Sequence, residues 1–271
     1  IVHCGPFANI AHGTSSVLAQ RLGLHLADYV VNETGFAADL GAEKFFDLVM
    51  PMCGHVPSAA AVIVTLKALR AQGGSPDGAI DLGFPNLARH FDNLKRWGVT
   101  PVIALNRFPG DTDDDLDQVL KFCRTLGVDA AVCEGYARGG AGMEEMAAKI
   151  VAAADRADTN RIKPIYDRSQ SLSEKITAIA TQVYGAERVS FKPAARSRLD
   201  KLSALGYGEL PVCIAKTQYS FTDDSKQFGA PVGWTLTISE VTLSAGAGFV
   251  VAIAGAMMLM PGLGKVPQAQ K

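Results

Sequence analysis

Val102-Ile103-Ala104-Leu105-Asn106-Arg107-Phe108-Pro109-Gly110-Asp111-Thr112-Asp113-Asp114-Asp115-Leu116 is the stretch whose reading decides the fold class. The apolar run 102–106 reads as a buried strand, and Pro109-Gly110 marks a turn. Thr112 is a helix N-cap, three aspartates occupy the first turn where the helix dipole favours anions, and Leu116, Val119, Leu120 and Cys123 form one apolar face of a helix over 113–126. A second short apolar run, 130–133, follows. Strand, loop, helix and strand in this order are the pattern of parallel strands joined by crossover helices.

The alternation extends outward through the first 155 residues. Strands are predicted at 29–32, 60–66, 102–106 and 130–133, and helices at 15–26, 85–97, 113–126 and 143–154. After Asp155 the pattern changes to helices at 173–184 and 193–205, then strands near 212–215, 235–238 and 249–253. The expected class is α/β, with mostly parallel sheets and crossover helices, followed by a smaller α+β C-terminal domain. Domain boundaries are expected at 1–98, 99–158 and 159–271, with 73–85 as a glycine- and proline-rich loop and candidate hinge. From Val241 to Gly264 there are 24 consecutive uncharged residues, long enough to span a bilayer. Gly246, Gly248, Gly255, Pro261 and Gly262 interrupt the stretch, so it reads as two buried strands with a glycine turn and no membrane is expected as a partner.

The 271 residues are 48% hydrophobic and 20% charged with a net charge of −1, which is globular and not disordered. No basic run marks a nucleic-acid surface. The five cysteines are scattered without a C-x-x-C, as expected of reduced thiols in a cytoplasmic protein. The sequence opens on Ile1 without a signal-peptide pattern and reads as a piece of something longer.

Ligands of open α/β sheets gather beyond the carboxyl ends of the strands. There the sequence places Glu33, Gly35 and Phe36, then Arg107, Phe108 and Pro109, then Glu134, Gly135, Tyr136 and the series Gly139, Gly140, Gly142. Aromatic rings beside glycines suit a flat heterocycle, since rings stack on its faces and glycine admits close backbone approach; the same rings could also plug loops onto the core. Gly139–Gly142 precede a helix whose free amides could meet an anion, or form a plain turn. Asp39 and Glu43, four apart, suit acid and base work or a cap with a salt bridge; Lys216 could meet a phosphate or close an ion pair.

Other constellations fail. Asp111, Asp113, Asp115 and Asp117 alternate like a calcium loop, but Leu116 and Phe122 stand where glycine and the bidentate glutamate are needed. His3, His12, His25, His55 and His90 have no metal-ligand spacing. No G-x-S-x-G, G-x-G-x-x-G or G-x-x-x-x-G-K-[ST] occurs; Gly262-Leu263-Gly264-Lys265-Val266 lacks the first glycine and the hydroxyl of the last motif.

Four strings in one order carry a resemblance. They are Gly5-Pro6-Phe7-Ala8-Asn9-Ile10-Ala11-His12-Gly13, Gly35-Phe36-Ala37-Ala38-Asp39-Leu40-Gly41-Ala42-Glu43-Lys44-Phe45, Asn106-Arg107-Phe108-Pro109 and Lys216-Thr217-Gln218-Tyr219-Ser220. The chain resembles formate–tetrahydrofolate ligase from Gly5 to about Pro267. The resemblance implies ATP-dependent ligation of formate to tetrahydrofolate, giving 10-formyltetrahydrofolate, ADP and phosphate through formyl phosphate. ATP with Mg²⁺ and tetrahydrofolate would be substrates, with no tightly bound cofactor. Phe36 and Phe108, with Pro109, would hold the pteridine. Tyr136 stands where the family usually has tryptophan before Ala-Lys-Gly-Gly-Glu-Gly; here Ala137-Arg138-Gly139-Gly140-Ala141-Gly142 follows, with a smaller ring and one carboxylate fewer. Asn106, Gly139, Gly140, Gly142 and Lys216 would face the nucleotide.

The same resemblance makes 1–98 the C-terminal part of the nucleotide-binding domain and 99–158 the second α/β domain, which contributes the folate slot. It puts the phosphate-binding loop and the catalytic residues upstream of Ile1, makes the N-terminal part of the same protein the partner, implies a homo-oligomer, and leaves this segment inactive alone. The alternative is a non-catalytic folate- or nucleotide-binding module.

Overall fold

The computed structural model describes residues 11–255. Residues 5–10 of the first family string, His3, Cys4 and the 262–266 stretch lie outside the described residues. Three parallel strands, β1 (Ala60–Val64), β2 (Pro101–Asn106) and β3 (Asp129–Cys133), form one sheet in the order β1-β2-β3. This sheet joins strands from both sides of residue 99. The connections are helical: α3 (Leu66–Gln72) and α4 (Phe84–Arg96) lead from β1 to β2, and α5 (Asp113–Thr125) leads from β2 to β3.

The unbroken apolar run of β2 follows from its position at the centre. Ile103 and Leu105 pack with Leu69, Leu87, Phe91, Leu116 and Val119 on one face, while Val102 and Ala104 pack with Ala131, Met146 and Ala153 on the other. Met146 and Ala153 belong to α7 (Glu144–Asp155). Thr112 caps α5 as expected, its hydroxyl accepting from Asp115 N at 3.2 Å. The strand predicted over 60–66 stops at Val64 because Thr65 turns the chain into α3 and accepts from Ala68 N at 3.0 Å.

A second, mixed sheet holds β4 (Arg188–Phe191), β5 (Val212–Ala215), β6 (Thr235–Ser244) and β7 (Phe249–Ala254) in the order β4-β6-β7-β5. β6 and β7 are an antiparallel hairpin, flanked by β4 parallel to β6 and β5 parallel to β7. α8 (Leu172–Ile179), running on as a π-helical turn to Tyr184, and α9 (Pro193–Leu202) complete this layer. Within the uncharged stretch from Val241, the described part is the end of β6, a turn and β7. Among the described residues no helix is long and apolar enough to cross a membrane. The two sheets bear out the α/β class with a mixed C-terminal layer. β6 runs well past the predicted 235–238, and the predicted 73–85 loop includes a 3₁₀ turn at Ile80–Gly83.

One predicted strand does not form. Among the described residues, 29–32 join no strand; the nearest ladder contact is an isolated bridge between Thr14 and Thr34, and Asn32 bonds Thr14 and Ser15 through its side chain. Val31 is 95% exposed and Tyr29 62% exposed. β-branched and aromatic residues favour a strand only where a neighbour covers them.

The helical run 38–53 is not among the predicted elements. It consists of π-helical Ala38–Ala42 and Phe45–Val49 and a last α turn, α2 (Met50–Cys53), and every residue from Asp39 to Met50 is buried. Phe46 stacks on Trp97 at 5.0 Å, and the run belongs to the same core as β5, β6 and β7. Gly41 permits it: a Cβ there would lie 2.2 Å from Gly35 O and 2.7 Å from Thr34 C. Replacing Gly41 by alanine is expected to destabilise the chain by roughly 1–3 kcal/mol through overpacking against backbone that has no alternative rotamer. A urea or thermal unfolding transition unchanged from wild type would contradict this close approach.

Candidate functional site

Two of the three aromatic loops leave the same sheet edge. Asn106 pairs with Cys133 across β2 and β3, so the segments after them start side by side. Arg107 N donates to Cys133 O at 3.0 Å, and the Arg107 guanidinium meets Asp113 at 2.8 Å. Within this turn Phe108 N donates to Asp111 Oδ2 at 2.8 Å, and Asp111 N returns a bond to Phe108 O at 3.1 Å. The backbone of Phe108 is therefore fixed from both sides while its ring is 55% exposed.

Beyond β3, a helical turn at Gly135–Arg138 carries Tyr136, and a 3₁₀ turn at Gly139–Gly142 follows. Glu134 N donates to Gly142 O at 3.0 Å and Arg138 pairs with Glu134 at 3.1 Å, closing the loop on itself. A Cβ on Gly142 would stand 2.6 Å from Glu134 O, which is the reason for glycine there. Gly139 and Gly140 are exposed, and Tyr136 has no neighbour shielding it. Glu144 and Glu145 fill the first turn of α7, so the positive end of that helix already faces carboxylates.

Phe36 stands on a separate loop. Thr14 and Thr34 bridge, Gly35 N donates to Gly13 O at 2.7 Å, and Phe36 then takes φ 62°, the only non-glycine residue with positive φ among those described. Its ring is 55% exposed. An L-residue with a large side chain holds this conformation only where its surroundings impose it. None of Phe36, Phe108 and Tyr136 plugs the core. The structure brings Asn106, Phe108, Pro109, Tyr136 and the glycine series to one edge, with Phe36 on a loop that enters the buried helix.

Lys216 lies elsewhere. Directly after β5, it has no exposed surface, and its ammonium contacts Asp39 at 2.7 Å, Thr217 O at 3.2 Å and Ser220 O. It also sits 4.9 Å over the Tyr184 ring. Of the two uses the sequence left open, the structure shows the ion pair. Asp39 and Glu43 both lie on the buried run, and the pairing differs between them. Glu43 approaches Lys44 at 3.0 Å without hydrogen-bond alignment, and neither Glu43 oxygen has a donor. Lys44 donates to Ile214 O at 3.1 Å. Asp47 Oδ1 accepts from Trp97 Nε1 at 2.9 Å and Ile165 N at 2.7 Å, leaving Oδ2 unpartnered.

Electrostatics follow these contacts. Burial pushes Asp39 up, but Lys216, His90 and Lys44 together outweigh it and hold the carboxyl below its usual range. Burial lowers Lys216, and Asp39 recovers only part of that. The two partners thus pull in different senses; three oxygen contacts on the ammonium support the charged pair. Glu43 is raised by burial, with Lys44 offsetting only part. Asp47 is raised well above the usual carboxylate range by burial and then by Glu43, despite its two donors. Burial also pushes the neighbouring Cys213 thiol up to about 12. The sequence marked Asp39, Glu43 and Lys216 singly, but not their joining in one network with Lys44, Asp47, Trp97 and His90. Its visible trace was a set of four charges, Asp39, Glu43, Lys44 and Asp47, inside an otherwise apolar run. Among the described residues no group of His, Cys, Asp or Glu is arranged to hold a metal ion.

The sequence model of the family described as formate–tetrahydrofolate ligase matches residues 1–271. A relative described as formate–tetrahydrofolate ligase, from Limosilactobacillus fermentum (strain NBRC 3956 / LMG 18251), is 47% identical over 279 residues, covering 100% of this chain and 50% of the relative. The chain therefore spans about half the length of the curated relative it matches.

The raised Asp47 carries a pH consequence. The folded state holds a proton on Asp47 that the unfolded state releases near its ordinary value of 3.8, so stability falls as pH rises from there toward the folded-state value. Asp47→Asn keeps an acceptor for Trp97 and Ile165 and removes this titration. Urea unfolding from pH 4 to 8 is expected to show wild type losing stability relative to the variant as pH rises; parallel curves would mean that Asp47 does not titrate abnormally.

Proposed function

The chain belongs to the formate–tetrahydrofolate ligase family, and on that premise we propose that it supplies the folate slot and the nucleotide-facing wall of an enzyme that ligates formate to tetrahydrofolate. The carrying observation is the pair of solvent-facing rings, Phe108 and Tyr136, on backbone-locked loops at adjacent strand ends. A pteridine is flat, and stacking on such rings needs exposed faces held in fixed positions. Phe36, exposed and fixed in the left-handed conformation, is the third proposed contact, with Pro109 beside Phe108.

In the proposed reaction a formate oxygen attacks the γ-phosphorus of ATP, ADP leaves, and formyl phosphate forms. N10 of tetrahydrofolate then attacks the formyl carbon, phosphate leaves, and N10 loses its proton. Such chemistry is mostly positioning and stabilisation of phosphoryl and oxyanion charge. This chain would do the positioning of folate. Asn106, half-buried, and Gly139, Gly140 and Gly142 are the proposed nucleotide-facing groups, while Lys216, sealed from solvent, would act from within. With no G-x-x-x-x-G-K-[ST] in the sequence, the ATP phosphates and their Mg²⁺ are assigned to the N-terminal part of the family's polypeptide. Leu18, Leu22 and Leu26, exposed at successive i, i+4 positions of α1 (Val17–Leu26), support docking of that part on this helix. The four cysteines among the described residues are free thiols, in keeping with a cytoplasmic setting.

The direct test is ATP- and formate-dependent formation of 10-formyltetrahydrofolate by the chain alone and by the chain joined to the family's N-terminal part. Product only from the joined form is expected. Tetrahydrofolate binding without product in either form would favour a binding module. Phe108→Ala should weaken tetrahydrofolate binding by about 1 kcal/mol or more, and unchanged affinity in a folded variant would remove Phe108 from the slot. Tyr136→Trp should tighten binding by enlarging the stacked face; no change would exclude Tyr136 as a stacking partner.

A further inference from the structure

Phe36 lies three residues before Asp39, is 55% exposed and holds φ 62°. The backbone on either side of it is tied down. Gly35 N bonds Gly13 O, and Ala37 O accepts from Leu40 N at 3.0 Å and Gly41 N at 3.1 Å, so Ala37 is the joint between the ring and the buried helix. The first turn of that helix is in turn held by Asp39 against Lys216 at 2.7 Å, with side-chain exposures of 6% and 0%. Lys216 follows β5 and simultaneously closes the 217–220 turn through Thr217 O and Ser220 O.

Two of the four family strings thus meet at one contact, the Gly35–Phe45 string bringing Asp39 and the Lys216–Ser220 string the ammonium, while Gly13 of the first string makes a separate bond to Gly35 N. A buried ion pair contributes little net stability over an apolar pair, but separating its charges inside a core is costly, so it holds the two elements that carry it together. A residue with positive φ needs that kind of external constraint to persist.

We propose that Asp39 and Lys216 are positioning residues for folate, a latch between the second sheet and the Phe36 loop that fixes the ring in its stacking orientation. This rests on the reading of Phe36 as a folate contact. In this role neither residue contacts folate; both act through Phe36.

A double-mutant cycle in the 271-residue chain tests it, with tetrahydrofolate affinity read by fluorescence titration and folding read by near-ultraviolet circular dichroism. Phe36→Ala should weaken binding about fivefold to tenfold, the range expected for a lost stacked ring. Asp39→Asn, which keeps the volume and an acceptor but removes the charge, should weaken binding severalfold. The double variant should bind no worse than Phe36→Ala, because a latch has no effect without the ring it holds. Losses that add, or an Asp39→Asn chain that binds like wild type, overturn the latch while leaving Phe36 in the site. An affinity unaffected by Phe36→Ala overturns the folate reading of Phe36 and the latch with it. Should Asp39→Asn fail to fold, Ala37→Gly takes its place: it leaves the ion pair intact and loosens the joint. It too should weaken binding only while Phe36 is present, and wild-type affinity in that variant overturns the proposal.

Discussion

An ammonium and a carboxylate with almost no exposed surface must stay in contact, because parting them would leave two bare charges in a core. The Asp39–Lys216 pair therefore fixes the distance between the first turn of the buried run 38–53 and the end of β5. Other contacts hang from that distance. Lys44 reaches Ile214 O on the same strand, and Trp97 and Ile165 both donate to Asp47. Trp97, at the end of α4, also stacks on Phe46. A helix that would normally show charges to water here uses them to hold the strand, the helix end and the 162–166 segment around it.

The first sheet was legible because its residues obey local rules. β2 is apolar throughout since helices cover both faces, and Thr112 with the aspartates of α5 announces a helix start that the structure reproduces. Three strands of the second sheet were legible, but β4 (Arg188–Phe191), four residues with one face exposed, was not, and neither was the order β4-β6-β7-β5, which pairs strands far apart in sequence. The run 38–53 escaped because Asp39, Glu43, Lys44 and Asp47 imitate an exposed helix face, and only tertiary partners far along the chain, at 214 and 216, make their burial tolerable. Residues 29–32 were misread for the opposite reason. Val30, Val31 and Tyr29 have strand character but, among the described residues, no strand beside them, and propensity without a partner does not make a strand.

The candidate site divides along the same line. Glycines, aromatic rings and the turn residues of the Asn106–Asp111 loop could be picked out by type, and the structure presents Phe108 and Tyr136 on neighbouring loops. The support behind the rings was hidden. Asp111 accepting from Phe108 N and Asp39 clasping Lys216 are geometric facts that no spacing rule announces. Lys216 illustrates the point, since a lysine after a strand suits a phosphate or an ion pair equally until its burial against Asp39 is known.

The strand order β4-β6-β7-β5 also bears on how the protein is made. β4 and β5 are synthesised first, yet among the described residues each neighbours only a hairpin strand in the sheet, and that hairpin ends at Ala254. During synthesis from the N-terminus, no strand pair of this sheet can form before β6 has left the ribosome, and β5 waits for β7. The seat of Lys216 is completed only then. The loop carrying Phe36, translated some two hundred residues earlier, must stay unlatched for most of that interval, so the earliest-made of the three proposed stacking rings is the last to be fixed in place.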